Sequence, residues 1–89
     1  MPTERMIYSG RVQGVGFRYS VRTIAKHHPV TGYVRNLPDG TVELVAQGEL
    51  PAINNLLADV AEKFRDNIVH GERGSLSDAD VFQTFDIRY

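Results

Sequence analysis

The hydrophobic residues of this 89-residue chain recur with two different spacings, and the order of those spacings constrains the fold. A spacing of two residues is typical of a strand with one buried face, whereas a spacing near 3.6 residues is typical of an amphipathic helix. Along the chain the spacings predict a strand, a helix, two strands, a second helix and further strands. At this length, with 42% apolar residues, residues 1–89 are expected to form one domain.

Two helices are indicated by apolar stripes. The first begins near Phe17, and Pro29 is expected to end it because proline cannot continue the hydrogen-bond ladder. The second has Pro51, which suits the first position of a helix, and carries the strongest apolar stripe in the chain. That stripe consists of Ile53, Leu56, Leu57, Val60, Ala61 and Phe64.

Strands are predicted wherever the spacing of two residues recurs. It is found over residues 6–12, 30–34, 42–46 and 85–89. Residues 37–40 have turn chemistry and join the middle two strands as a hairpin. Residues 68–81 are poorer in apolar side chains, so one short strand followed by a loop is expected there.

Elements in this order predict an α+β fold of the ferredoxin-like, split βαβ kind, with one antiparallel sheet and both helices on one face. The crossover between the first two strands is right-handed and makes them point the same way, so their carboxyl ends lie at the same edge. The segment from Gly14 to Arg18 leaves one of these ends, and Asn36 ends the other. Arg18 and Asn36 are therefore expected to lie close together.

The loop before the first helix, residues 10–18, reads G-R-V-Q-G-V-G-F-R and predicts an anion site. Glycines permit backbone conformations in which successive N–H groups converge, and the helix start adds its positive end. Arg18 supplies a planar fork of donors that can hold two phosphate oxygens at once. The predicted phosphate-binding residues, acting mainly through backbone N–H groups, are Gln13, Gly14, Val15, Gly16, Phe17 and Arg18.

The same loop can also be interpreted as an ordinary tight turn before a helix. It does not match the two standard nucleotide-binding loops. A P-loop ends in Gly-Lys-Ser/Thr, and a dinucleotide-binding loop requires a third glycine, where this chain has Arg18 and Tyr19. Nucleotide binding by either route is not expected.

The charge balance argues against nucleic acid and membranes as partners. The chain has ten Lys and Arg residues and eleven Asp and Glu residues, which gives a net charge of -1. It therefore has no excess of positive charge with which to bind a large anionic surface. Tyr8, Tyr33 and Phe17 are interpreted as core residues, because base-stacking aromatics need basic flanks on an open sheet face. No apolar run has the length of a signal peptide or membrane span, so a cytoplasmic protein is expected. It is also expected to be a monomer.

No metal or cofactor is expected. The chain has no cysteine, which excludes thiol catalysis and cysteine metal sites. His27 and His28 are neighbours on a helix and His70 is distant, so they are interpreted as surface or core-edge residues. Asp78 and Asp80 lie in a Ser/Asp-rich loop and are interpreted as solvated turn formers rather than an acid pair.

Two segments together resemble the signatures of the acylphosphatase family: residues 10–18, and residues 32–42, which read G-Y-V-R-N-L-P-D-G-T-V. The resemblance covers nearly the whole chain apart from residues 68–83. It implies hydrolysis of the mixed anhydride between a carboxylic acid and phosphate, without metal or cofactor. It also implies that Arg18 binds the phosphate and that Asn36 positions the attacking water.

The implied chemistry suits a site with few functional groups. In an acyl phosphate the leaving group is a carboxylate whose acid has a pKa of about 4, so no general acid is needed. The loop amides and Arg18 can stabilise the charge on the phosphoryl oxygens, while Asn36 holds a water in line. The substrate is then a small acyl phosphate, with inorganic phosphate as product or inhibitor.

Two alternatives to an enzyme remain open at this point. A non-catalytic anion-binding or regulatory module of the same fold would need Arg18 but would not need an amide at the water position, so the presence of Asn36 favours the enzyme. A ferredoxin-like nucleic-acid binder is the more distant alternative. Neither signature is expected to contact the acyl half of the substrate, so the sequence does not identify the acyl group.

Overall fold

The predicted order of elements is confirmed by a computed structural model, which describes residues 1–77 and 79–89. Two helices pack on one face of a five-stranded sheet, which is the ferredoxin-like arrangement. The elements are β1 (Thr3–Gly10), α1 (Phe17–Ala25), β2 (Thr31–Asn36), β3 (Val42–Gln47), α2 (Leu50–Lys63), β4 (Ile68–Ser75) and β5 (Phe85–Arg88). Within the described residues, neither helix combines the length and apolar character needed to cross a bilayer.

The sheet has the strand order β4-β1-β3-β2-β5 and is mixed rather than wholly antiparallel. β1, β3, β2 and β4 pair antiparallel as predicted, but β5 pairs parallel with β2. β4 finishes at the end of the sheet where β2 starts, and the chain then crosses the sheet at that end. β5 must therefore leave that end in the same direction as β2.

The segment that crosses the sheet is fixed by hydrogen bonds to two strands in turn. The Leu76 amide donates to the Thr3 carbonyl at 2.9 Å. The Gln47 side chain donates to the Asp80 carbonyl at 2.9 Å and accepts from the Phe82 amide at 3.0 Å. This crossing lies at the end of the sheet opposite to Asn36, so it does not contribute to the predicted site.

β4 is longer than the short strand predicted for this part of the chain. It has eight residues and lies at the edge of the sheet, where all but Ile68 are exposed. Its place in the sheet is set by backbone pairing with β1 rather than by a buried face. An edge strand of this kind carries little hydrophobic alternation, which is why the spacing of apolar residues underestimates it.

α1 ends at Ala25, four residues earlier than the predicted stop at Pro29. The His27 amide donates to the Ile24 carbonyl at 3.0 Å, and the His28 amide donates to the Ala25 carbonyl at 3.1 Å. These bonds span three residues instead of four, so the chain leaves the helix through a tighter turn. Pro29 has no N–H to donate to the Ala25 carbonyl and disfavours helical geometry in His28, so the α-helix cannot continue beyond this turn.

Phe17 anchors α1 in the core between the sheet and α2. Its ring centroid lies 5.5 Å from that of Tyr8 and 4.5 Å from that of Phe64, and all three residues are buried. Core packing of Tyr8 and Phe17 is thus confirmed. Tyr33 differs from the prediction, because it is only half-buried and lies on the other face of the sheet, against Phe82. Alternation along β2 separates its side chain from that of the buried Val34.

The face of the sheet away from the helices carries a buried carboxylate between two arginines. Arg5 Nε donates to Glu43 Oε2 at 2.6 Å, and Arg35 Nε donates to Glu43 Oε1 at 2.7 Å. Burial alone would raise the pKa of Glu43, but hydrogen bonds from Arg5, Tyr33 and Arg35 outweigh it and hold that pKa below its usual range. Arg5, Glu43 and Arg35 are called the arginine–glutamate cluster below.

Candidate active site

The loop between β1 and α1 has the backbone geometry of an anion cradle. Gly14 and Gly16 have left-handed φ angles of 74° and 75°. A Cβ atom added at either position would meet nothing within 4 Å, so glycine is required there by conformation rather than by space. Within the described part of the chain, no side chain caps the first turn of α1 and no acidic residue lies in it. Its amides can therefore bind an anion.

The loop and the end of β2 meet at one small cavity of about 240 Å³. Its walls are formed by Val12, Gly14, Gly16, Phe17, Arg18, Tyr19 and Asn36. The topology argument predicted that Arg18 and Asn36 would lie close together, and in the structure both line this cavity. Four of the six predicted cradle residues line it as well, while Gln13 and Val15 do not.

Asn36 lines this cavity and carries an unsatisfied acceptor. It is the last residue of β2 and pairs with Val42, which fixes its backbone against the centre of the sheet. Its side-chain Oδ1 is buried and accepts no hydrogen bond from any described residue. A buried acceptor without a partner costs about 1–3 kcal/mol, so its retention at a cavity wall points to a bound hydrogen-bond donor.

Arg18 is half-buried and keeps its charge available. None of the ion pairs formed among residues 1–77 and 79–89 includes Arg18. Its Cζ lies 4.9 Å from the centroid of the Tyr89 ring. A cation–π contact of this kind uses the face of the guanidinium and leaves its N–H donors able to bind an anion. Tyr89 was not predicted near the site, because no motif or topology rule in the sequence links it to Arg18.

Gln13 connects the two halves of the site through its side chain, which the sequence prediction missed. Its Nε2 donates to the carbonyl oxygens of Leu37 and Thr41, each at 2.9 Å. Leu37 follows Asn36 directly, so these bonds attach the cradle loop to the hairpin that begins at Asn36. The sequence signal was a polar residue, Gln13, in a glycine-rich loop. Its partners could not be identified from the sequence, because they lie in a different segment of the chain.

The other candidate residues lie away from the cavity. His28 Nε2 lies 2.7 Å from Asp59 Oδ2, between the turn after α1 and α2, while His27 and His70 are exposed. Among the described residues, no three His, Cys, Asp or Glu side chains form a group able to hold a metal ion. Asp80 contributes its carbonyl oxygen to the bond with Gln47. Asp78 lies outside the described residues.

Comparison with known proteins gives a consistent result. The family model named Acylphosphatase matches residues 4–87. The chain is 47% identical over 76 residues to an acylphosphatase of Methanospirillum hungatei JF-1, covering 85% of this chain and 75% of that protein. It is 36% identical to an acylphosphatase of Lactobacillus gasseri over the full length of both. Among solved structures, that of acylphosphatase from Bacillus subtilis superposes over both full lengths with a TM-score of 0.88 and 31% identity.

Proposed function

This chain belongs to the acylphosphatase family, and we propose how its residues hydrolyse the mixed anhydride of a carboxylic acid and phosphate. Arg18 and the amides of the cradle loop bind the phosphoryl group, and Asn36 orients the attacking water. The observation that carries this proposal is the buried, unpartnered Oδ1 of Asn36, a residue that lines the same cavity as Arg18. The substrate is an acyl phosphate, and the products are a carboxylate and inorganic phosphate.

Phosphoryl binding relies on groups that are oriented before the substrate arrives. The left-handed conformations of Gly14 and Gly16 permit the N–H groups of the loop to converge on one anion, to which the first turn of α1 adds its amides. Arg18, with no carboxylate partner among the described residues, adds a bidentate pair of donors. These donors stabilise the charge on the equatorial oxygens of a loose transition state.

The attacking water is held by Asn36. Its Oδ1 accepts one proton of the water in a hydrogen bond, which leaves a lone pair of the water oxygen directed at phosphorus. As the new P–O bond forms, the bond from phosphorus to the acyl oxygen breaks, and its electron pair leaves on the carboxylate. The water proton passes to a phosphate oxygen of the substrate, so the step needs no basic side chain. The carboxylate leaves without protonation because its acid has a pKa of about 4.

The non-catalytic anion-binding module gains no support from the comparisons, whose curated relatives carry the name acylphosphatase. We further propose that the protein acts as a cytoplasmic monomer without nucleic-acid or membrane partners, metal or cofactor. The net charge of -1 supports the exclusion of nucleic-acid and membrane partners. Size-exclusion chromatography with light scattering checks the monomer.

The experiment that tests these roles is steady-state hydrolysis of benzoyl phosphate, followed by its ultraviolet absorbance, with a chelator present. Asn36→Ala is expected to lower kcat by about 100-fold with KM little changed, because it removes orientation of the water but not phosphate binding. Arg18→Lys is expected to lower kcat and raise KM, since the bidentate fork is lost.

The matched control is Asn55→Ala, which removes an exposed asparagine on α2 and is expected to leave both constants unchanged. Near-normal turnover by Asn36→Ala would contradict the role assigned to Asn36. Turnover by the parent protein that disappears with chelator would contradict the metal-free reaction.

A further inference from the structure

The turn that follows α2 lies directly against the start of the cradle loop. This turn, residues 64–67, is fixed to the end of α2, because the Asn67 and Ile68 amides both donate to the Phe64 carbonyl at 2.9 Å. Asn67 then bonds twice to Arg11, the first residue after β1. Its backbone carbonyl accepts from the Arg11 amide at 2.9 Å, and its side-chain Nδ2 donates to the Arg11 carbonyl at 3.0 Å. The turn therefore satisfies both polar backbone groups of one loop residue.

The last residue of β1 is a glycine because this turn approaches it closely. A Cβ atom at Gly10 would lie 2.3 Å from the Asn67 carbonyl oxygen and 2.7 Å from the Val69 nitrogen. The pairing of β1 with β4 also changes register between Ser9 and Gly10. A register shift of this kind bends a strand, and here it coincides with the point where the chain leaves the sheet for the cradle loop.

The same turn also contacts the other end of the loop. Phe64, its first residue, is buried with its ring centroid 4.5 Å from that of Phe17, the first residue of α1. The turn thus holds the loop at Arg11 and at Phe17. The left-handed Gly14 and Gly16 lie between these two points. Fixing both ends of a loop limits the conformations that its amides can adopt.

We propose that Asn67 is a positioning residue for phosphate binding, whose side chain fixes the start of the cradle loop before the phosphoryl group arrives. Asn67 does not line the cavity, so it acts through Arg11 rather than on the substrate. Donors that are already ordered lose little freedom on binding, whereas a mobile loop must be ordered by the ligand, which weakens affinity. Gln13 bonds to the hairpin instead, so the two side chains hold the loop against different elements.

The inference rests on the part of the proposed function that assigns phosphoryl binding to the cradle loop. The test measures binding of inorganic phosphate by isothermal titration calorimetry, together with hydrolysis of benzoyl phosphate and urea unfolding of the same proteins. Asn67→Ala and Asn67→Leu both remove the Nδ2 donor and keep the backbone bond to Arg11. Leucine also keeps nearly the size and branching of the asparagine side chain.

Each variant is expected to bind phosphate about five-fold more weakly and to raise KM by a similar factor, because the loop amides are no longer held in place. The change in kcat should be smaller, since the loss weakens ground-state and transition-state binding together. Phosphate affinity separates positioning from a purely structural role, because lower stability alone does not change the affinity of a protein that remains folded.

The matched control is Asn55→Ala, which makes the same substitution at an exposed position of α2. It is expected to leave phosphate affinity, kcat and KM unchanged. Asn67 variants that unfold more easily but bind phosphate as the parent does would overturn the inference, because the bond would then serve the fold alone. An equal loss of affinity in Asn55→Ala would overturn it as well.

Failure of the proposed function would give a different result. A parent that binds phosphate but does not hydrolyse benzoyl phosphate would overturn the proposed function, and the phosphate titrations of the Asn67 variants would still decide the inference. A parent that does not bind phosphate would overturn both.

Discussion

Arg18 lies in α1 and Glu43 lies in β3. Both are charged, but they differ in whether the protein itself pairs their charge. Glu43 lies between Arg5 and Arg35 and accepts a hydrogen bond on each carboxylate oxygen. Arg18 has no carboxylate partner in the described part of the chain, and the nearby Asn36 Oδ1 accepts no hydrogen bond there. The cluster therefore satisfies its polar groups within the protein, whereas the cavity keeps its polar groups for a ligand.

This difference assigns the two regions to different roles. Removal of one member of a paired set of buried charges lowers the stability of the fold, because it leaves the others unpaired. Unsatisfied polar groups reduce stability but are already oriented for a reacting molecule, which is how preorganised sites stabilise a transition state. Substitutions in the cluster should change the free energy of unfolding, and substitutions at the cavity should change turnover.

The largest stability effect is expected from Glu43→Gln. The change removes the charge while keeping the shape, so both arginines lose a charged acceptor and the free energy of unfolding should fall by about 2 kcal/mol. Activity on benzoyl phosphate should stay within about two-fold of the parent, since no cluster residue lines the cavity. Urea unfolding at pH 7 measures the first effect. Glu72→Gln, at an exposed position of β4, is the control expected to change neither.

If Glu43→Gln were as stable as the parent, the cluster would not have the role assigned to it. If it lost turnover in proportion to stability, the two regions would not be separate.

A smaller effect is expected from Gln13→Ala. Gln13 refines the comparison of the two regions, because its hydrogen bonds are satisfied, as in the cluster, but they support the cavity. Loss of its bonds to Leu37 and Thr41 detaches the cradle loop from the hairpin. Arg18 and Asn36 are then no longer held in a fixed position relative to each other. We expect kcat to fall about ten-fold, from this misalignment. Inhibition by inorganic phosphate should change little, because Arg18 and the loop amides remain.

Gln83→Ala, which removes an exposed glutamine before β5, is the matched control and should leave turnover unchanged. A variant at Gln13 that lost phosphate binding as strongly as turnover would show that the residue maintains the cradle itself rather than its alignment.

The smallest effect is a pH dependence of stability that comes from the cluster. The pKa of Glu43 is lower in the folded protein than its ordinary value of 4.5, so the folded state binds fewer protons than the unfolded state. The stabilisation is complete above pH 4.5 and is lost as the pH falls through the lowered value in the folded protein. Hydrogen bonds from Ser75 and Arg73 lower the pKa of Glu4 in the same direction.

Urea unfolding between pH 7 and pH 3 measures this dependence. The parent should lose more stability on acidification than Glu43→Gln, because the variant has already lost the titrating group. Equal losses in the two proteins would mean that Glu43 does not contribute to the acid response.

Much of the fold could be predicted because its signals are local. The stripe from Ile53 to Phe64 and the alternation in β2 each reflect burial of one face, which the sequence records directly. β3, at the centre of the sheet, is buried at every residue. β4 and β5 could be predicted less well. β4 is an exposed edge strand, and the parallel pairing of β5 depends on where the preceding segment crosses the sheet.

The candidate site divides in the same way. Gly14, Gly16 and Arg18 lie within five consecutive residues, and the crossover rule placed Asn36 at the same edge of the sheet. The sequence could not show that the Gln13 side chain reaches the hairpin or that Tyr89 contacts Arg18. Those contacts are set by packing between elements far apart in sequence.

The central claim is that Asn36 serves the reaction rather than the fold, and one experiment on Asn36→Ala tests it most directly. Urea unfolding and turnover of benzoyl phosphate would be measured on the same preparation. The account predicts that kcat falls about 100-fold while the free energy of unfolding stays within about 0.5 kcal/mol of the parent or rises, because an unpartnered buried acceptor has been removed. A parallel fall in stability and turnover, or turnover that persists, would contradict it.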